Sequence, residues 1–332
     1  MSPDDLHEFW QVLEELVALD TTTPVSDQGL AEVERVLRPF GCYGVGERLL
    51  GGGDPTDRIW MYTHVDTKPP GDLQRWDTDP FRLTADHDRW LGLGVSDSKF
   101  QLLNALLVRR AMGGFVLIDT SEESDHHANA QAIIAEASPE ALIVCDGTRG
   151  DHDAYNGVSG QLDGLIHLET GMPRRHPSQS EGAVLQRLSD LSADVQRRGL
   201  RFTVTGLSGL SEERSLSLQE VAVRFDLRFS DEERPRVADF LARWSHSTRQ
   251  MMWPVQGAEV RTFSIPTSLS PASFSTRLGR EEPLGARFVI AVPGSEVDNQ
   301  THMPNEFIRP PQILRHWWAL SRVVSELTEA HV

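Results

Sequence analysis

The sequence lacks several features that mark particular classes of protein. Only Cys42 and Cys145 are cysteines among 332 residues, too few for a disulfide framework or a thiolate metal cluster, and this scarcity predicts a reducing, cytoplasmic location. Positive charge is also scarce, because 32 lysine and arginine residues face 49 aspartate and glutamate residues and leave a net charge of −17 at pH 7. We find no basic stripe to offset it, so we expect neither nucleic acid nor a membrane surface as a partner.

Long hydrophobic runs are absent as well, and no stretch is long and apolar enough to predict a membrane span. The acidic N-terminal segment MSPDDLHEFWQVLEELVALD has apolar residues at helical spacing, so it predicts an amphipathic helix rather than a signal peptide. Hydrophobic residues make up 39% of the chain. This composition and length are sufficient for a full core and for two domains.

The first half of the chain alternates between predicted strands and predicted helices. RIWMYTHVDT, FVLIDT and ALIVCD predict strands, and SKFQLLNALLVRRAM and HANAQAIIAEA predict the helices between them. This order predicts an α/β fold with a mostly parallel sheet and helices on both faces. In sheets of this kind ligands bind beyond the carboxyl ends of the strands.

The pattern changes at about residue 157, where strand, helix, two strands and helix follow one another. This order predicts a smaller α+β domain of residues 157–265, inserted into a larger domain of residues 1–156 and 266–332. Within the insert, GQLDGLIHLET alternates like a strand, and we expect it to be able to pair at a sheet edge.

Side chains suited to a divalent metal lie at or near the predicted strand ends of the larger domain. These candidates are His64, Asp97, Glu123, Asp146 and His302. Imidazole nitrogens and carboxylate oxygens without thiolates favour zinc, with cobalt or manganese as substitutes. Each short motif also has a plain alternative: a strand entering a polar loop, a glycine–aspartate turn, or a solvated acidic turn at Glu122 and Glu123. At a metal site, one carboxylate of that acidic pair would bind metal and the other would transfer a proton.

Five motifs in a fixed order resemble the M20 family of zinc metallopeptidases and deacylases. They are THVDT, RWDTDPFRLTADHDRWLGLGVSDSK, DTSEES, IVCDGT and PGSEVDNQTHMPNEF, and they extend over nearly the whole chain. The second motif is similar to that of acetylornithine deacetylases and related N-acyl-amino-acid deacylases. The resemblance implies a metal-dependent hydrolase that removes the acyl group of a small N-acyl amino acid. A dipeptidase or carboxypeptidase of the same family, or a non-catalytic binding protein on this fold, is the alternative.

The resemblance also implies a site for two divalent ions, Zn²⁺ with Co²⁺ or Mn²⁺ as substitutes. Asp97 would bridge both ions. His64 and Asp146 would complete the ligands of one ion, and Glu123 and His302 would complete those of the other.

Three further features near the metals follow from the same resemblance. Asp66 would accept a hydrogen bond from His64 and fix its tautomer. Glu122 would be the general base that takes a proton from the attacking water and passes it to the leaving amine. A cis peptide bond would join Asp97 to Ser98.

The inserted domain would serve as a lid that contacts substrate and forms a homodimer. His176, in RRHPSQSEG, stands where the family has a lid histidine that stabilises the oxyanion in the partner subunit's site; a surface histidine is the alternative. Ser215 stands where family lids carry an asparagine for the substrate carboxylate, and FSTR keeps only Arg277 of an expected Thr-Asp-Ala-Arg. Substrate recognition is therefore partly rewritten, which leaves N-acyl amino acids and dipeptides both open.

Overall fold

A computed structural model describes most of the chain. The described residues are 3–124, 128–147, 154–156, 160–169, 177–210, 220–229, 231–244, 246–252, 270–271 and 285–329. The chain divides into two compact units, a larger one of Met1–Val158 and Val255–Val332 and a smaller one of Ser159–Pro254. The predicted domain limits at 157 and 265 stay a prediction, since both positions lie outside the described residues.

The described helices and strands are numbered in chain order. The helices are α1 (Pro3–Ala18), α2 (Asp27–Leu37), α3 (Phe100–Met112), α4 (Ala128–Ala137), α5 (Pro177–Arg198), α6 (Arg234–Arg243) and α7 (Pro310–Glu329). The strands are β1 (Cys42–Gly46), β2 (Leu49–Gly52), β3 (Ile59–His64), β4 (Thr84–Asp86), β5 (Arg89–Leu91), β6 (Phe115–Asp119), β7 (Ala141–Val144), β8 (Tyr155–Asn156), β9 (Gly160–Glu169), β10 (Arg201–Leu210), β11 (Glu220–Phe229), β12 (His246–Met252), β13 (Ser270–Pro271), β14 (Phe288–Ala291) and β15 (Phe307–Ile308). None of the described helices combines the length and the apolar composition that crossing a bilayer requires.

The larger unit is built on a sheet with the strand order β1-β2-β6-β3-β7-β14-β8-β13. Its four central strands, β6, β3, β7 and β14, are parallel to one another. The predicted mostly parallel α/β sheet is therefore confirmed. Strands β1 and β2 add an antiparallel hairpin at one edge, which the sequence did not predict because their glycines (CYGVG, LLGG) weaken the strand signal.

Helices cover both faces of this sheet, as the alternation of side chains along β3 shows. Met61 points into a core formed with α1, α2, α3 and α7, whereas Trp60 and Tyr62 point into a second core against α4. Each of these side chains is at most 1% exposed, and such burial contributes roughly 1.5–3 kcal/mol for each large apolar residue. The start of α3, from Phe100 to Val108, is buried on all sides, which fixes the turn that precedes it.

The smaller unit is an antiparallel sheet in the order β10-β11-β9-β12 with α5 and α6 packed on an apolar core. The expectation that GQLDGLIHLET lies at a sheet edge is wrong, because β9 pairs with β11 on one side and with β12 on the other. Alternating exposed and buried residues accompany any strand with one covered face, whether it is an edge or an interior strand. In the described part of this sheet the edges are β10 and β12.

Candidate metal and catalytic site

His64 is the last residue of β3, and its imidazole is only 1% exposed. Its Nδ1 lies 3.1 Å from the backbone oxygen of Asp66. A carbonyl oxygen only accepts hydrogen bonds, so in the neutral imidazole Nδ1 carries the hydrogen and Nε2 keeps its lone pair. Nε2 lies 3.1 Å from Oδ1 of Asp97 and 3.4 Å from Oδ1 of Asp146. Asp146 follows β7, the strand next to β3, so the two side chains meet at one end of the sheet.

Asp66 holds the acidic pair that follows β6. Its Oδ1 accepts a hydrogen bond from the backbone N–H of Glu122 at 3.1 Å, and its Oδ2 accepts one from that of Glu123 at 2.8 Å. The carboxylate thus orients the backbone of both glutamates, a role that the sequence did not predict. Oδ1 of Asp66 also lies 3.4 Å from Nδ1 of His64, the residue with which Asp66 was predicted to pair. Glu122 and Glu123 are 7% and 5% exposed, which excludes the solvated acidic turn.

Asp97 lies in a tight turn, Val95–Lys99, that leads into α3. Its φ and ψ of −132° and 93° are not helical, and a cis peptide bond joins it to Ser98, as the resemblance implies. Ser98 donates from Oγ to the backbone oxygen of His64 at 3.0 Å, which ties the turn to β3. The turn requires glycine at position 94, because Gly94 has a φ of 74° and a Cβ there would press against Cγ2 of Thr67.

His302 completes the other side of the cluster from the loop after β14. Its Nε2 lies 2.9 Å from Oδ2 of Asp97 and 2.6 Å from Oε1 of Glu123. Lys68 approaches the same glutamate, with Nζ 3.0 Å from Oε2, and also donates to the backbone oxygen of Glu123. Sequence reasoning missed Lys68, although it is one of only two lysines in the chain and directly follows the THVDT motif.

The structure brings all five predicted metal ligands together as two groups that share Asp97. One group is His64, Asp97 and Asp146, the other is Asp97, Glu123 and His302, and in each group the donor atoms lie within 4.8 Å of one another. The two oxygens of Asp97 divide between the groups, Oδ1 toward His64 and Oδ2 toward His302. Two imidazole nitrogens and several carboxylate oxygens form a donor set that suits a divalent metal.

The electrostatics of the cluster favour positive charge. Burial alone would lower the pKa of His64, but Asp146 and the neighbouring aspartates raise it well above its usual value. Burial likewise opposes protonation of His302, yet its contacts with Asp97 and Glu123 raise the pKa of His302 to about 10. Despite its burial, Asp97 has a lowered pKa because the two histidines lie against it. A cation placed among these carboxylates would be stabilised in the same way.

The remaining predicted site residues are His176, Ser215 and Arg277, and all three lie outside the described residues. Their proposed roles therefore stay predictions. Cys145, beside Asp146, is a free, buried thiol, and burial raises its pKa, so it does not supply a thiolate ligand. Glu306, like Lys68, lies at the site but was not predicted from the sequence, although it belongs to the motif PGSEVDNQTHMPNEF. It contacts the turn that carries Asp97.

Comparison with known proteins identifies relatives of this chain. The profile of peptidase family M20/M25/M40 matches residues 60–326. A succinyl-diaminopimelate desuccinylase of Bordetella petrii is 25% identical over 200 residues, which cover 52% of this chain and 52% of that protein. An N-acetyl-L-citrulline deacetylase of Xanthomonas campestris pv. campestris is 30% identical over 165 residues, which cover 45% of this chain and 44% of that protein. The chain thus spans about half the length of these two curated relatives.

Solved structures of low sequence identity share the fold. Aminopeptidase PepT from Bacillus cereus matches with a TM-score of 0.64 at 11% identity, over 97% of this chain and 98% of that chain. Human carnosine dipeptidase 1 matches with a TM-score of 0.59 at 16% identity, over 98% of each chain. At such identities the likeness concerns the architecture and not the reaction.

Proposed function

Because the chain belongs to peptidase family M20/M25/M40, we propose that it is a metal-dependent hydrolase that removes the acyl group from a small N-acyl amino acid. The observation that carries the proposal is the sharing of Asp97 between two ligand groups, with the buried Glu122 beside the ligand Glu123. The curated relatives named desuccinylase and deacetylase support acyl-group removal over peptide hydrolysis. A dipeptidase or carboxypeptidase is the alternative within the same site chemistry.

The proposed cofactor is a pair of divalent ions, Zn²⁺ by the chemistry of the donor set, with Co²⁺ or Mn²⁺ as substitutes. His64 and Asp146 would hold one ion and Glu123 and His302 the other, with Asp97 between them. When bound, the ions would polarise the amide carbonyl and make the attacking water more acidic. The tautomer of His64 set by the backbone oxygen of Asp66 leaves Nε2 free to act as a ligand.

Glu122 is the proposed general base. It is buried, and the hydrogen bond from its backbone N–H to Asp66 fixes its backbone at the cluster. It would take a proton from water as the water oxygen bonds to the amide carbon. It would then deliver that proton to the nitrogen as the C–N bond breaks, which yields a carboxylate and a free amine. A non-catalytic binding protein has no need for this carboxylate.

The smaller unit is proposed to form a homodimer and to supply substrate contacts. Its edge strand β10 exposes Val204 and Leu207, which are 51% and 61% exposed, and this supports a partner along that edge. His176 would stabilise the oxyanion in the partner subunit's site, and Ser215 and Arg277 would contact the substrate carboxylate. A cytoplasmic location is also proposed, supported by the two buried, unpaired cysteines.

Metal depletion followed by a substrate screen tests the proposal. Chelated protein is reloaded with Zn²⁺, Co²⁺ or Mn²⁺ singly and assayed for amine release from N-acetyl- and N-succinyl-amino acids and from dipeptides. We expect chelation to abolish turnover and lower the melting temperature, because the carboxylates repel one another without cations. Reloading should restore both, with acyl amino acids as the better substrates.

Two matched histidine variants serve as controls in this screen. His302→Gln removes a proposed ligand, whereas His87→Gln changes a side chain that is 89% exposed and lies 3.7 Å from Asp86, which is not a proposed site residue. Only the first should lose metal and activity. Unchanged turnover in excess chelator would refute the metal site, turnover of dipeptides alone would favour the peptidase, and metal binding without turnover of either class would favour a binding protein.

A further inference from the structure

Glu306 is a buried carboxylate that the proposed reaction does not use. It lies four positions after His302 and is only 2% exposed. Its Oε1 accepts hydrogen bonds from the backbone N–H groups of Ser96 at 2.8 Å and Asp97 at 3.0 Å. Its Oε2 accepts a third from the backbone N–H of Gly94 at 2.9 Å. One carboxylate therefore receives three donors from the turn that carries Asp97.

A carboxyl side chain suits this arrangement of donors because both of its oxygens accept. An amide of the same size presents an NH₂ group at one of the two positions and would face a backbone N–H with another donor. Gly94 and Ser96 are buried with Glu306 and Asp97 is partly buried, so replacing the carboxylate as the acceptor of these N–H groups requires opening the turn to water. The type of residue at position 306 is thus dictated by the backbone of Gly94–Asp97.

Glu306 is itself held on a rigid base. Its backbone oxygen accepts from the N–H of Gly92 at 3.1 Å, and the next two residues form β15, which pairs with β5. On the opposite side of the turn, Ser295 donates from Oγ to the backbone oxygen of Ser96 at 2.6 Å. The turn is therefore fixed through both its N–H groups and a carbonyl.

We propose that Glu306 is a positioning residue for the metal site, which holds Gly94–Asp97 so that one oxygen of Asp97 faces each ligand group. The inference rests on the proposed metal-dependent function. Because Asp97 belongs to both groups, a displaced turn weakens both metal positions together, rather than one of them. This joint loss separates positioning of Asp97 from damage to a single ligand.

The test compares metal binding by purified, metal-free wild type, Glu306→Gln and Glu306→Asp. Titration calorimetry with Co²⁺ gives the dissociation constants, and the visible absorption of bound Co²⁺ reports the ligand geometry. For Glu306→Gln we expect affinity at both positions to fall about 10- to 100-fold, the range typical of residues that orient metal ligands, with an altered Co²⁺ spectrum. Glu306→Asp keeps the charge but is one methylene shorter, so its loss should lie between wild type and the glutamine variant.

Asp194→Asn is the matched control, because Asp194 is also a carboxylate that is 2% exposed and accepts from a buried donor, Nε1 of Trp244 at 3.0 Å. It should lower stability and leave Co²⁺ affinity and spectrum unchanged. Failure of wild type itself to bind Co²⁺ would refute the proposed function. Wild-type affinity and spectrum in both Glu306 variants would refute the positioning role alone.

If neither Glu306 variant folds, amide hydrogen exchange on the wild type tests the positioning role of Glu306. The peptide of residues 93–98 should be protected from exchange with or without Co²⁺, because Glu306 accepts from its N–H groups in either state. Exchange at the rate of an unstructured chain would overturn the inference.

Discussion

At the residue scale, Glu122 carries the proposed proton transfer without belonging to either metal-ligand group. Its replacement by glutamine keeps the size of the side chain and removes its proton affinity. We expect Glu122→Gln to lower kcat by ~10²–10⁴ while metal content stays at the wild-type level. Steady-state kinetics together with elemental analysis of the same sample measure both quantities.

The neighbouring glutamate provides the matched control for this variant. Glu123 contacts His302 at 2.6 Å and is a proposed ligand, so Glu123→Gln should lose metal as well as turnover. If Glu122→Gln loses metal too, Glu122 is a ligand. Near-wild-type turnover in Glu122→Gln would remove it from the mechanism.

The sequence predicted the five proposed ligands and the pairing of Asp66 with His64, but not the backbone N–H groups from which Asp66 and Glu306 accept hydrogen bonds. His64, Glu123 and Asp146 each follow an apolar run that ends at the carboxyl edge of a parallel sheet, a pattern visible in the sequence. The hydrogen bonds that Asp66 and Glu306 accept join parts of the chain that are far apart in sequence. Asp66 and Glu122 are separated by 56 positions, and Glu306 and Asp97 by 209. No periodicity encodes which backbone N–H a carboxylate will reach.

At the element scale, the packing of α7 against α3 includes a histidine that must remain neutral. Burial lowers the pKa of His316 to about 4. Nε2 of His316 lies 2.9 Å from the backbone oxygen of Val292, so it carries the hydrogen, and Nδ1 accepts from Nδ2 of Asn104 at 3.0 Å. If Nδ1 of His316 were protonated, its N–H would face the NH₂ group of Asn104, and neither group could accept a hydrogen bond from the other.

This histidine should make the protein less stable in acid. The unfolded state takes up the proton below pH 6.5 and the folded state only near pH 4, so stability is lost as the pH falls through that window. The contribution is roughly 3 kcal/mol for the whole window. In urea unfolding at several pH values, His316→Gln should lose correspondingly less stability than wild type on acidification. The exposed-site control His87→Gln should follow wild type, and parallel curves for all three proteins would contradict the prediction.

The edge strand β10 gives a second prediction at the element scale. Val204 and Leu207 are more than half exposed on a strand with one unpaired side in the described sheet. Lysine on an edge strand opposes pairing with another chain, so Val204→Lys with Leu207→Lys should convert the proposed dimer to monomers. Sedimentation velocity measures the mass, and a melting scan checks that the fold survives. A dimeric double variant would exclude this edge, and a monomeric wild type would exclude the dimer.

Long elements were predictable and short ones were not. The helices α3 and α7 show apolar residues at helical spacing, and β3, β6 and β7 lie in the apolar runs RIWMYTHVDT, FVLIDT and ALIVCD, so both kinds of element are clear in the sequence. Strands of two or three residues, such as β4, β5 and β15, contain too few positions to show a period. β9 is an interior strand of its sheet because β12 pairs with it. The sequence of β12, HSTRQMM, lacks the alternation of apolar and polar residues that would predict a strand.

At the scale of the whole molecule, the chain order of the proposed ligands explains why a site could be predicted across an insertion. His302 reaches Glu123 over 179 positions of sequence that include the whole smaller unit. The two residues meet because β14 returns to the parallel sheet beside β7, and loops after parallel strands share one edge. The sequence therefore predicted the meeting point, whereas the proposed substrate contacts of Ser215 and Arg277 involve residues outside the described part of the chain.

The proposed dimer makes a prediction that only the assembled molecule can satisfy. If His176 serves the partner subunit's site and Glu122 serves its own, homodimers of His176→Ala and of Glu122→Gln should each be nearly inactive. Random remixing of equal amounts makes about half of the dimers mixed, and each mixed dimer has one site with both groups intact. Activity at fixed total protein should therefore recover to about a quarter of the wild-type value.

The remixing experiment separates action in the partner's site from action within one chain. Both variants are dissociated and reassociated together, native mass spectrometry quantifies the mixed dimers, and each variant remixed with itself is the control. Recovery should rise in proportion to the mixed fraction, because a mixed dimer holds the only complete sites. If mixed dimers form and activity stays at the level of the separate variants, His176 acts within its own chain or takes no part in the reaction, since complementation requires that the two groups come from different subunits.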